Sequence, residues 1–269
     1  MVQSAKERVG VVGSGVMGRG IVQLFAVAGH EVWLHDSREG AIEEALGVIG
    51  GLLERSVAKG RLSAEEREAT LARIHQSDGL VGLAECDLVV EAIVENLEAK
   101  QALLCQLEEV VANEAILASN TSSLSVTRLA SACRHPERVA GYHFFNPVPL
   151  MKIVEVVRGE LTCPEVIARL ERLARQAGHF PALTPDTPGF LVNHAGRAYV
   201  PEALRLVDEG IAAPAQIDRI LTLSLGFRMG PFELLDLIGL DVTHAVMESV
   251  YRQFYDDPYY TPSWQVPRR

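Results

Sequence analysis

The stretch from Tyr142 to Glu155, YHFFNPVPLMKIVE, carries a histidine and a glutamate at mirror positions about Pro149. Its two prolines, Pro147 and Pro149, mark a reversal between two apolar runs. If those runs pair as antiparallel strands, His143 and Glu155 stand directly opposite one another. Their Cβ atoms are then about 4.5–5.5 Å apart, close enough for imidazole to meet carboxylate. Such a pair supplies what oxidation of an alcohol needs: a base for the hydroxyl proton, oriented by a carboxylate on its other nitrogen, while hydride leaves the same carbon. His143 is therefore a candidate general base and Glu155 its orienter. The chain holds 8 histidines, and for any one of them a satisfied structural side chain is the competing reading. Spacing alone leaves both open.

A second pattern supplies a place for the hydride to go. Gly13-Ser14-Gly15-Val16-Met17-Gly18 fits G-x-G-x-x-G, in which the first glycine permits a tight turn, the second lets a pyrophosphate reach the backbone, and the third lets helix pack on strand. The match follows a short β-branched run, Arg8 to Gly13, and opens a run with helical spacing, Val16 to Ala28. The next strand, Glu31 to His35, ends at Asp36. A carboxylate at that tip accepts hydrogen bonds from the adenosine ribose hydroxyls and repels a 2′-phosphate, which favours NAD over NADP. Arg38, close by, is the one feature that argues the other way.

Elements that hold these residues can be read around them. A long charged helical stretch from about Glu39 to Ala72 breaks near Gly60. Further strands are expected at Leu88–Val94, Ala115–Ser119, Val139–Phe145 and Lys152–Val157, separated by helices after Asn96 and Ser125. This alternation predicts an α/β fold, a Rossmann-type doubly wound sheet, mostly parallel, with an antiparallel strand pair at its end. After about Asp186 the strands stop. Thr187 and Pro188 read as an N-cap and first helical position, followed by helices near Gly189–Glu209, kinked at Pro201, then Pro214–Leu225, Pro231–Ile238 and Val242–Tyr255. The expected domains are thus residues 1–186, binding the cofactor, and residues 187–269, all-α. The apolar faces of the second exceed what a small lone bundle buries, which points to a partner subunit.

Composition sets the limits. With 269 residues, 48% hydrophobic and 22% charged, the chain can bury one large core and one smaller one. A formal net charge of −10 argues against a nucleic-acid-binding surface, which needs a basic stripe to neutralise phosphates. Cys86, Cys105, Cys133 and Cys163 are scattered without a CxxC pair and read as small buried or half-buried residues in a reducing compartment, with no metal site. No segment has the pattern of a signal peptide or a bilayer span, so a cytoplasmic protein with no membrane partner is expected.

Five motifs, in order along nearly the whole chain, resemble those of 3-hydroxyacyl-CoA dehydrogenases. They are DLVVEAIVEN (Asp87 to Asn96), SNTSSL (Ser119 to Leu124), HFFNPVPLMKIVE (His143 to Glu155), DTPGFLVN (Asp186 to Asn193) and GPFELLDLIGLD (Gly230 to Asp241). The resemblance implies NAD-dependent, reversible oxidation of (S)-3-hydroxyacyl-CoA by a His143–Glu155 pair. It implies that Ser122 and Asn193 bind the reacting oxygen, and that Glu95, Lys100, Ser122 and Asn146 contact the cofactor held by Gly13, Gly15, Val16, Met17, Gly18 and Asp36. It also implies an acyl-CoA whose phosphates meet Lys59, flanked by Arg55 and Arg61, and a homodimer formed through the helical domain. Dehydrogenation of a free hydroxy acid or sugar acid on the same fold is the alternative. Arg228 and His194 depart from the family's usual residues at their positions. The tail from Asp256 to Arg269 ends where relatives continue into a basic segment and a glycine-aromatic motif, so the chain matches the first part of the longer bacterial members, and a shortened helical domain is expected.

Overall fold

In a computed structural model, residues 6–197 and 199–263 are described. Tertiary contacts divide the chain into two units, Met1–Asp186 and Thr187–Arg269.

The first unit is built on eight strands: β1 (Arg8–Val12), β2 (Glu31–His35), β3 (Ile74–Gln76), β4 (Leu88–Glu91), β5 (Ile116–Ser119), β6 (Val139–Phe144), β7 (Ile153–Arg158) and β8 (Phe180–Pro185). They form one sheet in the order β3-β2-β1-β4-β5-β6-β7-β8. All neighbours run parallel except β6 and β7, which are antiparallel. Six helices accompany them: α1 (Val16–Val27), α2 (Ala41–Ala58), α3 (Ala64–Leu71), α4 (Leu97–Glu108), α5 (Val126–Ala130) and α6 (Pro164–Gln176). Central strands β4 and β5 are buried at every position, as required of parallel strands covered on both faces. One face packs Val9, Val11 and Leu34 against α1, α2 and α6 through Phe25, Ile49 and Leu170. The other packs Val89 and Leu117 against α4 and α5 through Leu104, Leu107 and Leu129.

Two strands were not legible in advance. β3 has three residues and no apolar run, and it is held as an edge strand by pairing with β2. β8, FPALTP, contains two prolines, which argue for a turn in a central strand but are tolerated at the edge that β8 occupies. It extends the sheet one strand beyond the antiparallel pair. The long stretch expected from Glu39 to Ala72 is two helices, α2 and α3, and the second begins with a capping box between Ser63 and Glu66.

The second unit contains α7 (Val192–Arg197), α8 (Val200–Asp208), α9 (Pro214–Leu225), α10 (Pro231–Ile238) and α11 (Leu240–Gln253). Two expectations are corrected here. Thr187 and Pro188 form a turn closed by Phe190 N–H to Thr187 C=O at 2.9 Å, with Gly189 at φ +78°, so the helix begins later, at Val192. Pro201 lies in the first turn of α8, where its missing N–H costs nothing, so it opens a separate helix and kinks none. Val200, Leu204 and Leu235 form the small core of this unit. Of the tail singled out in the sequence, residues 264–269 lie outside the described residues.

Candidate active site

Strand β1 runs into the glycine loop, and two of its glycines are demanded by the protein's own backbone. Gly13 sits at φ +100°, and a Cβ on it would lie 2.5 Å from the Ala92 carbonyl oxygen. A Cβ on Gly18 would lie 1.7 Å from the Gly13 carbonyl oxygen. Around Gly15, by contrast, a Cβ would meet nothing within 4 Å. That opening lies at the N-terminus of α1, whose N-cap makes no side-chain hydrogen bond, so first-turn N–H groups and the positive end of the helix dipole face it. A diphosphate fits this cradle on both shape and charge.

Asp36 follows β2 and ties the loop to it. Its carboxylate accepts hydrogen bonds from the Ser14 amide at 2.7 Å, the Ser14 hydroxyl at 2.6 Å and the Arg38 amide at 2.9 Å. Partial burial pushes its pKa up, but the bonds from Ser14 and Arg38 outweigh this and hold it below the usual carboxylate value. The Arg38 guanidinium itself is turned to Glu44, donating at 3.1 Å. Next to Asp36 a cavity of about 280 Å³ is walled on its apolar side by Leu80, Ile93, Ala99 and Leu103, side chains of the kind that pack on a purine. A depressed folded-state pKa contributes stability above the unfolded-state value of about 3.9, and that stability is lost as pH falls through the folded value. The gap in Tm between the native chain and Asp36→Asn is therefore expected to be widest near neutrality and to close in acid. A gap independent of pH would show that the carboxylate's charge is not what ties the loop.

Across the switch point between β1 and β4 lies the serine-rich loop after β5. Here Glu95 Oε1 accepts from the Thr121 hydroxyl at 2.7 Å and from the amides of Ser122 and Ser123 at 2.9 and 3.2 Å. Lys100, on α4, is 1% exposed. Its ammonium lies 2.6 Å from Glu91 and 3.3 Å from Glu95. Burial raises the Glu95 pKa most strongly of any single influence, yet Lys100 and the bonds from Thr121 and Ser122 together bring it below the ordinary value. Asn120 Oδ1 accepts from the Phe144 amide at 2.9 Å, which fastens this loop to the end of β6.

On β6 and β7 the register pairs His143 with Glu155, as the spacing about Pro149 predicts. His143 Nδ1 lies 2.6 Å from Glu155 Oε2, with His143 8% and Glu155 0% exposed. This contact suits the tautomer in which Nδ1 donates to the carboxylate. Phe145 packs against the imidazole at a ring separation of 4.5 Å. Asn146 is exposed at the start of the following loop.

The remaining candidates are spread over the chain. Val16 opens α1 and is exposed, while Met17 packs against the core. Lys59 caps α2 at an exposed position, with Arg55 and Arg61 exposed beside it. Asn193 belongs to the second unit, on α7, and borders an apolar cavity of about 220 Å³ shared with Val246, Met247 and Val250. Three polar residues of this architecture were not singled out from the sequence: Glu91, Asn120 and Asp186. Each lies inside a motif quoted above, but nothing in spacing distinguishes a side chain that holds a loop from one that faces a ligand. Asp186 accepts from the Ser125 hydroxyl and the Val126 and Thr127 amides at 2.8, 2.9 and 2.7 Å, and so caps α5.

Known proteins resemble this chain along nearly its whole length. Residues 8–187 match the model of the 3-hydroxyacyl-CoA dehydrogenase NAD binding domain, and residues 189–268 match that of the 3-hydroxyacyl-CoA dehydrogenase C-terminal domain. The chain is 46% identical to 3-hydroxyadipyl-CoA dehydrogenase of Escherichia coli over 96% of its own length, but spans only 54% of that relative. It is 43% identical to a probable 3-hydroxybutyryl-CoA dehydrogenase of Deinococcus radiodurans, covering 93% of this chain and 90% of the other. The crystal structure of (S)-3-hydroxybutyryl-CoA dehydrogenase from Ralstonia eutropha superposes with a TM-score of 0.94 at 38% identity, over 98% of this chain and 93% of that one. The two domain models follow one another along nearly the whole chain, and the chain belongs to the 3-hydroxyacyl-CoA dehydrogenase family, with its NAD-binding domain followed by its C-terminal domain.

Proposed function

We propose that the chain catalyses the reversible NAD-dependent oxidation of an (S)-3-hydroxyacyl-CoA to the 3-oxoacyl-CoA. The observation that carries this reading is the buried His143–Glu155 contact at 2.6 Å on the strand pair beyond the serine loop. In the forward direction Nε2 of His143 takes the hydroxyl proton, and Glu155 stabilises the resulting imidazolium through Nδ1. Bound NAD supplies the acceptor for the hydride leaving the carbinol carbon. Family resemblance assigns Ser122 to the reacting oxygen and Asn193, in the second unit, to the substrate. Glu95, Ser122 and Asn146 line the nicotinamide side of the cofactor, with Lys100 buried behind Glu95 rather than at the cofactor surface as expected, Gly13 to Gly18 hold its diphosphate, and Asp36 its adenosine ribose. Lys59, with Arg55 and Arg61, gives an acidic protein the local positive charge that CoA phosphates require.

The same reading makes the helical unit a self-association surface. Leu223, Leu225 and Ile220 on α9 are 77%, 65% and 58% exposed, and Leu237 on α10 is 70% exposed. Large apolar side chains left this exposed on two helices fit a surface that a second copy covers, the partner a homodimer offers. Among the described residues no helix is long and apolar enough to cross a membrane, and we place the enzyme in the cytoplasm.

One assay tests the reaction and its substrate class together. NADH absorbance is followed after adding acetoacetyl-CoA or free acetoacetate at equal concentration. The proposal expects oxidation with the thioester and none above background with the free acid. Preference for the free acid would transfer the chain to the alternative, a dehydrogenase of free hydroxy acids.

A further inference from the structure

We propose that Glu91 is a positioning residue for the reaction: its buried carboxylate fixes Lys100, Lys100 fixes Glu95, and Glu95 fixes the backbone and hydroxyl of Ser122. Glu91 is the last residue of β4, in register with Val12 just before the glycine loop and with Ser119 just before the serine loop. It therefore stands at the carboxyl edge of the sheet, where such folds bind their ligands.

The side chain is 0% exposed, and every oxygen is engaged. Oε1 accepts from the Lys100 ammonium at 2.6 Å and the Ile93 amide at 2.7 Å, and Oε2 accepts from the Ser119 hydroxyl at 2.5 Å. Lys100 in turn touches Glu95 with Oε2 at 3.3 Å, leaving Oε1 of Glu95 for Thr121, Ser122 and Ser123. The three charged groups make a chain with division of labour: one oxygen of Glu95 faces the lysine, the other gathers the loop.

Stability is a weak reason for such an arrangement. Desolvating an acid and a lysine cancels much of what their attraction returns, and an apolar pair of the same volume would hold β4 to α4 as well. Apolar side chains could not, however, aim a carboxylate at two successive backbone amides. Lys100 alone could not do so either, because without Glu91 its ammonium would be drawn fully to Glu95 and would displace the carboxylate from the serines. Glu91 thus acts from behind, touching neither substrate nor cofactor.

The kinetic half of this inference rests on the dehydrogenase reading; the structural half does not, and the test separates them. In the full chain, Glu91→Gln keeps one acceptor oxygen for the Ile93 amide and turns its N–H₂ to the Ser119 hydroxyl, which can accept, but removes the charge that holds Lys100. Hydrogen exchange at residues 121–124 is expected to accelerate about tenfold, with the β1 and β2 amides unchanged. Turnover of acetoacetyl-CoA is expected to fall about tenfold in the native background but less than about twofold when Ser122→Ala is already present, because the two residues act in series. Unchanged protection over 121–124, or equal losses in both backgrounds, overturns the proposal. If Glu91→Gln does not fold, Ser119→Ala removes one of the bonds that orient the same carboxylate, and the same two readouts decide. Absence of turnover in the native chain would refute the dehydrogenase reading, and the exchange data would still decide the relay.

Discussion

Replacing His143 with glutamine is expected to lower kcat by about 10²–10⁴-fold, the usual worth of a positioned general base, while leaving NADH affinity within about twofold. The choice of glutamine follows from the site. Its amide N–H₂ can still donate to Glu155, so the buried carboxylate keeps a partner and β6 keeps its packing. What it lacks is a basic lone pair. Turnover from acetoacetyl-CoA consumption gives kcat, and NADH fluorescence gives affinity. A glutamine variant that turns over at the native rate would remove His143 from the chemistry, however close to Glu155 it lies.

The second large effect concerns the cradle. Gly18→Ala would place a methyl group 1.7 Å from the Gly13 carbonyl oxygen, a backbone atom that cannot swing aside as a side chain can. Relief requires α1 to move away from β1. Overpacking of this kind costs about 1–3 kcal/mol, and when the displaced element is the diphosphate site itself the loss in NADH affinity is expected to reach about 10–100-fold, with a lowered Tm. Gly15→Ala is the control, because a Cβ there meets nothing within 4 Å. Its Tm should be unchanged while NADH affinity still falls, since the methyl group occupies the approach of the ligand. If Gly15→Ala binds NADH as the native chain does, the diphosphate does not lie where the loop's geometry puts it.

These contrasts show what could be read from the chain and what could not. Gly13 and Gly18 were legible because backbone sterics restrict which residues can stand there. The register of His143 on Glu155 was legible because a reversal between two proline-marked strands has a single symmetric pairing. Two kinds of feature were not. Edge strands β3 and β8 get their conformation from a neighbour, and neither a three-residue run nor a proline-containing one announces that neighbour locally. Buried polar relays were equally silent: Glu91 reads as the polar end of an apolar strand, and only its contacts with Lys100 and Ser119 reveal a function. Pro201 shows the reverse error, since a proline within a helical pattern marks either a kink or a new start, and the pattern does not say which. The roles proposed for Ser122, Asn193 and Lys59 rest on resemblance to the family, which periodicity had no means to supply.

Direct transfer is the measurement closest to the centre of the account. A 3-hydroxybutyryl-CoA carrying deuterium on its carbinol carbon is mixed with the native chain and NAD, and the label is located by mass spectrometry. The proposed chemistry sends the hydroxyl proton to the imidazole and then to water, and the carbon-bound deuterium intact to the nicotinamide ring. Deuterium recovered in the solvent, or no reduced cofactor formed from the thioester, would contradict it.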